Sequence, residues 1–254
     1  MQINTPSDAI FSRALLEQAH ASGDARLVRF EFEGRLYFAK KTEQHKTLWL
    51  KFFKGNPEQA LRREAQLLKE FRARGASVPE ILAQDDTCFV MADHGMLVMK
   101  AIKKGASPVQ MMQRIGQELA ELHRLGLAHG RPVMRDICWD GQNLTFLDLE
   151  AGAKLQATQY DKARDVLLLL HSISVWKKRH PNAGDMFLNA YFADAPDELW
   201  KEAHTLARKI WWMEWLAAPV VAWHRLRHIE KSEFAAIQHA RRCVLSRQKA
   251  LAAQ

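Results

Sequence analysis

The chain has 254 residues, 48% hydrophobic and 26% charged, with 12 Gly, 8 Pro and 3 Cys. That balance is too apolar for a disordered chain and too mixed for a fibre, and the length allows one domain or two lobes. Cys88, Cys138 and Cys243 form no C-x-x-C pair, which argues against a disulfide framework or a cysteine zinc site.

No run reaches the roughly 18 uncharged apolar residues of a membrane span. The opening MQINTPSDAIFSR lacks the basic start and apolar core of a secretory signal, so a cytoplasmic setting is expected. Thirty-seven Lys and Arg against 29 Asp and Glu give +8. Lys201–Gln254 holds ten basic and four acidic residues, so +6 of that excess lies there. A basic region suits nucleic acid, a phosphorylated ligand or an acidic membrane surface; a solvated helix face is the plain alternative.

In chain order, TPSDAIFSRALLEQA predicts a helix capped by Ser7, with Ile10, Phe11, Ala14, Leu15 and Ala19 on its apolar face. ARLVRFEFEG, GRLYFAKK and KTLWLKFF alternate like strands and predict an antiparallel meander. PEQALRREAQLLKEFRARG follows as an amphipathic helix whose buried stripe is Leu61, Leu68 and Phe71. Glu64 shares that stripe, three residues after Leu61 and four before Leu68, where a carboxylate is costly unless a cation meets it. VPEILAQDDTCFVMAD and HGMLVMKAI read as further strands, giving a sheet of about five.

From Ser107 the pattern turns helical, first in SPVQMMQRIGQELAELHRLG with Ile115, Leu119, Leu122 and Leu125 in register. A loop, AHGRPVMRDICWDG, leads to a short apolar strand, NLTFLDLE, and the remainder reads as helices. The fold class is therefore α+β: a β-rich lobe over residues 1–104 and a helical lobe over 105–254. Lys103-Lys104-Gly105 is the expected hinge. Trp200, Trp211, Trp212, Trp215 and Trp223 recur at helical spacing, with Trp211, Trp215 and Ala218 on one face and Trp212 elsewhere. Such residues are more often core than membrane-facing, so burial is expected; a basic Trp-rich peripheral membrane contact is the alternative.

The order of elements, together with His129-Gly130-Arg131-Pro132-Val133-Met134-Arg135-Asp136-Ile137 and Phe146-Leu147-Asp148-Leu149-Glu150, resembles the protein-kinase-like fold. The likeness runs from about Arg26 to Trp176. It is greatest to the small bacterial branches: lipopolysaccharide core kinases, RIO-type kinases and aminoglycoside phosphotransferases. Those phosphotransferases write the region as H-G-D-x-x-x-x-N, then I-D-[FW]-E.

In that register Asp136 falls on the metal-binding Asn and Asp148 on the metal-binding Asp. The resemblance thus implies that both carboxylates hold Mg²⁺ on the phosphates of ATP. Asp165 resembles the buried Asp that braces the catalytic loop. Lys51, ending Leu48-Trp49-Leu50-Lys51, resembles the phosphate-binding lysine and would pair with Glu64. Lys40, ending YFAK, is the competing lysine; Lys51 is preferred because two strands precede it.

Arg131 stands where the family carries its catalytic Asp, and a guanidinium cannot serve as a base. Matching Arg135-Asp136 to H-R-D instead leaves too short a span to Asp148. Three outcomes follow. Transfer could proceed by positioning and charge alone, with Arg131 clamping an anion; Asp136, Asp140 or Glu150 could take the proton; or the chain is a pseudokinase acting as a regulatory or scaffolding protein. The resemblance implies a nucleotide partner and a sugar or glycolipid hydroxyl as acceptor, at the inner face of the membrane; nucleic acid is the weakest reading.

Overall fold

The structure, a computed structural model, describes residues 6–42, 56–149, 152–176, 180–193, 195–227 and 233–251. It divides into two units, Met1–Gly95 and Met96–Gln254.

In the first unit, α1 (Pro6–Ala21) precedes the hairpin β1 (Leu27–Phe32) and β2 (Arg35–Lys41). Then come α2 (Pro57–Ala73), β3 (Ile81–Gln84) and β4 (Cys88–Ala92). The strands form one antiparallel sheet in the order β1-β2-β4-β3. Period-two alternation decides what each face buries. Phe30, Tyr37, Ala39, Cys88 and Val90 pack with Leu15 and Ala19 of α1 into one core. Ile10, expected on the apolar face of α1, is instead exposed. Asn56 caps α2 by accepting from the Glu58 N–H, with Pro57 in the first turn, where its missing N–H costs nothing. Leu61, Glu64, Leu68 and Phe71 are buried, as the stripe predicts.

Two strand readings change. VPEILAQDDTCFVMAD is a hairpin of two strands, closed by Asp85, whose Oδ1 accepts from the Thr87 and Cys88 N–H groups. HGMLVMKAI supplies only β5 (Met96–Leu97) before turning into the short helix α3 (Val98–Lys103). The expected strand KTLWLKFF lies outside the described residues.

The second unit opens with β5, whose Met96 and Leu97 pair with Trp139 and Cys138. Residues 96–104 thus belong with the helical unit, and Lys103-Lys104-Gly105 connects α3 to α4 (Pro108–Arg124) inside it. Next come a 3₁₀ turn at Met134–Asp136 and strands β6 (Ile137–Trp139) and β7 (Leu144–Phe146). Helices α5 (Gln159–Ser174), α6 (Ala183–Tyr191), α7 (Asp197–Lys209), α8 (Trp211–Leu226) and α9 (Glu233–Leu251) complete it. A capping box between Thr158 and Asp161 starts α5. Helices α4 and α6 approach closely at Gly116, where an added Cβ would lie 2.6 Å from the Phe187 carbonyl oxygen.

The Trp residues correct another expectation. Trp211, Trp212, Trp215 and Trp223 are all exposed rather than core. Trp200 is half-buried, edge-on to Phe192 at 4.7 Å between centroids.

Candidate active site

The first unit supplies a buried ion pair. Alternation along β2 turns Lys41 toward α1 and Lys40 toward the opposite face. Lys40 Nζ donates to Glu64 Oε1 at 2.6 Å, and both side chains are only 11% exposed. The carboxylate that the helix stripe would leave stranded thus meets a cation, in the short charge-assisted geometry that offsets desolvation. Lys51, the preferred partner on sequence grounds, lies outside the described residues. Lys40, the competing candidate, holds this contact from a central strand with β1 and β4 on either side.

The second unit builds its His129–Asp136 loop on Asp165, fully buried in α5. Its carboxylate accepts from the His129 N–H at 2.6 Å and the Gly130 N–H at 2.9 Å. His123 Nε2 lies 3.4 Å away, while its Nδ1 meets the Tyr191 hydroxyl at 2.5 Å. Burial pushes the His123 imidazole below its ordinary pKa and the Tyr191 phenol well above its own. Both are therefore neutral: Tyr191 O–H donates to His123, and His123 Nε2–H donates to Asp165.

His129 is also buried, and burial lowers its pKa. Its Nε2 lies 2.9 Å from the Leu147 carbonyl, which can only accept, so the proton sits on Nε2. Gly130 adopts φ +89, and a Cβ there would fall 2.0 Å from the Gly152 carbonyl carbon. Only glycine permits both the left-handed backbone and that approach. The adjoining bridge between Ala128 and Lys154, with backbone hydrogen bonds of 3.0 and 2.9 Å, fastens the same two segments.

On this frame Asp136 and Asp148 come to one end of the β6–β7 hairpin. Asp136 ends the 3₁₀ turn just before β6, and Asp148 follows β7 by two residues. The Leu147 N–H donates to the Asp136 carbonyl at 2.7 Å, extending the ladder between them. Asp148 has φ 62, an uncommon conformation for a non-glycine residue and one concentrated at functional sites. Arg131 is exposed, with a guanidinium nitrogen 4.0 Å from Asp148 Oδ2. Arg135 Nε is 3.8 Å from Asp136 Oδ1.

Asp140 has a different task. It accepts from the Asn143 and Gln142 N–H groups at 2.7 Å each, closing the β6–β7 turn, and these bonds hold its carboxyl below the usual range. Glu150 lies outside the described residues. Sequence reasoning missed His123, Tyr191 and Gly152. A histidine beside Leu119 and Leu122 on an apolar helix stripe was the available sign for the first; nothing local marks the other two.

Residues 13–191, more than half of the chain, match the Lipopolysaccharide kinase (Kdo/WaaP) family. The chain belongs to that family. An uncharacterized protein of Haemophilus influenzae is 28% identical over 204 residues, which cover 77% of this chain and 82% of the relative. Membership in the Kdo/WaaP family makes this a protein-kinase-like chain of lipopolysaccharide type, and implies nucleotide use and a sugar-type acceptor. Helices α7 to α9 lie beyond the matched residues. Among the described residues, no helix is long and apolar enough to cross a membrane.

Proposed function

We propose that the protein is an ATP- and Mg²⁺-dependent phosphotransferase acting on a sugar or lipid-linked sugar hydroxyl. The observation that carries this reading is the placement of Asp136 and Asp148 at one end of the β6–β7 hairpin, on a loop braced by Asp165. Mg²⁺ takes hard oxygen donors, commonly one or two carboxylates with the rest from phosphate and water, and this donor pair fits that need. Asp136 and Asp148 would hold the ion, which when bound neutralises charge on the phosphates. Lys40, oriented by Glu64, would bind phosphate oxygens. Phosphoryl transfer through a loose transition state depends mainly on position and charge. The arginine at residue 131 therefore removes a base without removing the principal source of rate. Its planar fork suits a phosphate or an anionic acceptor.

A second reading rests on Arg131 itself. A fixed cation beside Asp148 can stand in for part of a metal's charge, which would leave a nucleotide-binding pseudokinase that regulates or scaffolds a partner. Calorimetric titration with ATP and Mg²⁺, with Asp148→Asn alongside, tests the nucleotide site. Metal-dependent binding that the variant loses supports it, and absence of binding refutes both readings. Transfer of γ-phosphate to a sugar or lipopolysaccharide-type acceptor then separates the enzyme from the pseudokinase.

A further inference from the structure

Helix α8 carries its Trp and Leu side chains on the wrong side for a folded core. At 100° per residue, Trp211, Trp215, Leu226, Trp212, Trp223 and Leu216 fall within an arc of about 140°. All six are exposed, Trp215 by 73% and Leu226 by 79%. The opposite side does the packing, with Ala217 and Val221 only 2% and 3% exposed. The helix's one carboxylate, Glu214, is turned inward, where Arg241 of α9 donates to it at 3.0 Å. No Asp, Glu, Lys or Arg falls on the outward arc.

The charges lie at its two ends. Arg208 and Lys209 are exposed where α7 meets α8. Arg227 is exposed just past the far end, its guanidinium 5.7 Å from the centroid of the Trp223 ring. An exposed apolar patch of this extent marks an interaction surface. Four indoles with cationic flanks form the pattern that settles at the headgroup level of a bilayer.

We propose that the outward face of α8 docks on an anionic lipid surface. The charge decides the occupant. Each copy carries +8, and the basic flanks would oppose one another if two copies met through this face. Anionic headgroups complement the same flanks while the acyl boundary takes the indoles. Docking needs neither nucleotide nor catalysis, so it stands or falls apart from the kinase reading.

The test is sedimentation of the full chain with phosphatidylcholine vesicles containing about 30% phosphatidylglycerol. The Trp212→Ser/Trp215→Ser/Trp223→Ser variant and an Arg208→Glu/Lys209→Glu variant are run in parallel. Circular dichroism and melting confirm that each variant folds. The expected result is binding to anionic vesicles that weakens with salt, falls more than about tenfold in the Trp variant, and falls in the charge variant on anionic vesicles alone. Brominated lipid should quench fluorescence of the wild type and spare the Trp variant. Failure of the wild type to bind anionic vesicles at low salt would overturn the proposal, as would equal binding by the Trp variant. A dimer that the Trp variant converts to monomer would assign the face to a second copy instead.

Discussion

Arg131 holds a guanidinium nitrogen 4.0 Å from Asp148 Oδ2, so a cation stands beside the carboxylate proposed above as a metal ligand. If that cation binds an anionic acceptor or the transferred phosphate, Arg131→Ala should raise KM or lower kcat about tenfold or more. Arg131→Lys should restore little, because a point charge does not reproduce the fork. Steady-state kinetics across the three proteins measures this; an unchanged kcat/KM in Arg131→Ala would remove the residue from the site.

Asp148→Asn keeps the size of the side chain while removing the charge that would bind metal. Transfer should drop by at least about a hundredfold, with melting within a few degrees of wild type. Retention of full activity would sink the assignment of Asp148 as a metal ligand.

Lys40→Met removes the 2.6 Å partner of the buried Glu64. It should cost roughly 3 kcal/mol by denaturant titration, with part recovered in Lys40→Met/Glu64→Gln. Nucleotide affinity should fall more in Lys40→Met than in Lys51→Met. The reverse order would return the phosphate role to Lys51.

Gly130→Ala should be more damaging than a surface substitution. The left-handed backbone and the approach to Gly152 both resist a Cβ, and a loss of about 3 kcal/mol or more is expected. Thermal denaturation of the purified variant provides the measurement, and a melting curve equal to wild type would refute the close approach.

Stability should depend on pH through two buried imidazoles. His123 and His129 both have pKa values lowered from 6.5 by burial, so below that value the unfolded chain binds protons that the folded chain refuses. Their contribution is complete above pH 6.5 and is lost as pH falls toward their folded values. The slope is up to about 1.4 kcal/mol per pH unit for each group. Urea titrations from pH 8 to 5 should show the decline, and His129→Gln should flatten it.

Much of this site was legible because its signals are local. Glu64 betrayed itself by sitting on an apolar stripe, and the spacing from His129 through Asp136 to Asp148 survives as a loop, a 3₁₀ turn and a hairpin. What stayed hidden depends on distant chain segments. Nothing near Lys40 says that β2 lies between β1 and β4, and nothing near Gly130 announces Gly152. The Trp residues misled for a physical reason: helical spacing shows that they share a side, but not whether that side faces protein or solvent.

Adjacent lysines on β2 serve opposite faces of one sheet. Lys41 Nζ donates to the carbonyls of Gly23 and His20 beside α1, while Lys40 answers Glu64 on the other side. A slip of the strand by one residue would break one of the two contacts in either direction, bringing Ala39 opposite Glu64 or carrying Thr42 to the carbonyls in place of Lys41. Hydrophobic alternation alone would tolerate such an error poorly; the lysine doublet makes it costlier still. The pair works as a two-sided key that admits a single alignment of β2, so the geometry of the ion pair is fixed by the folding of the sheet before any ligand arrives.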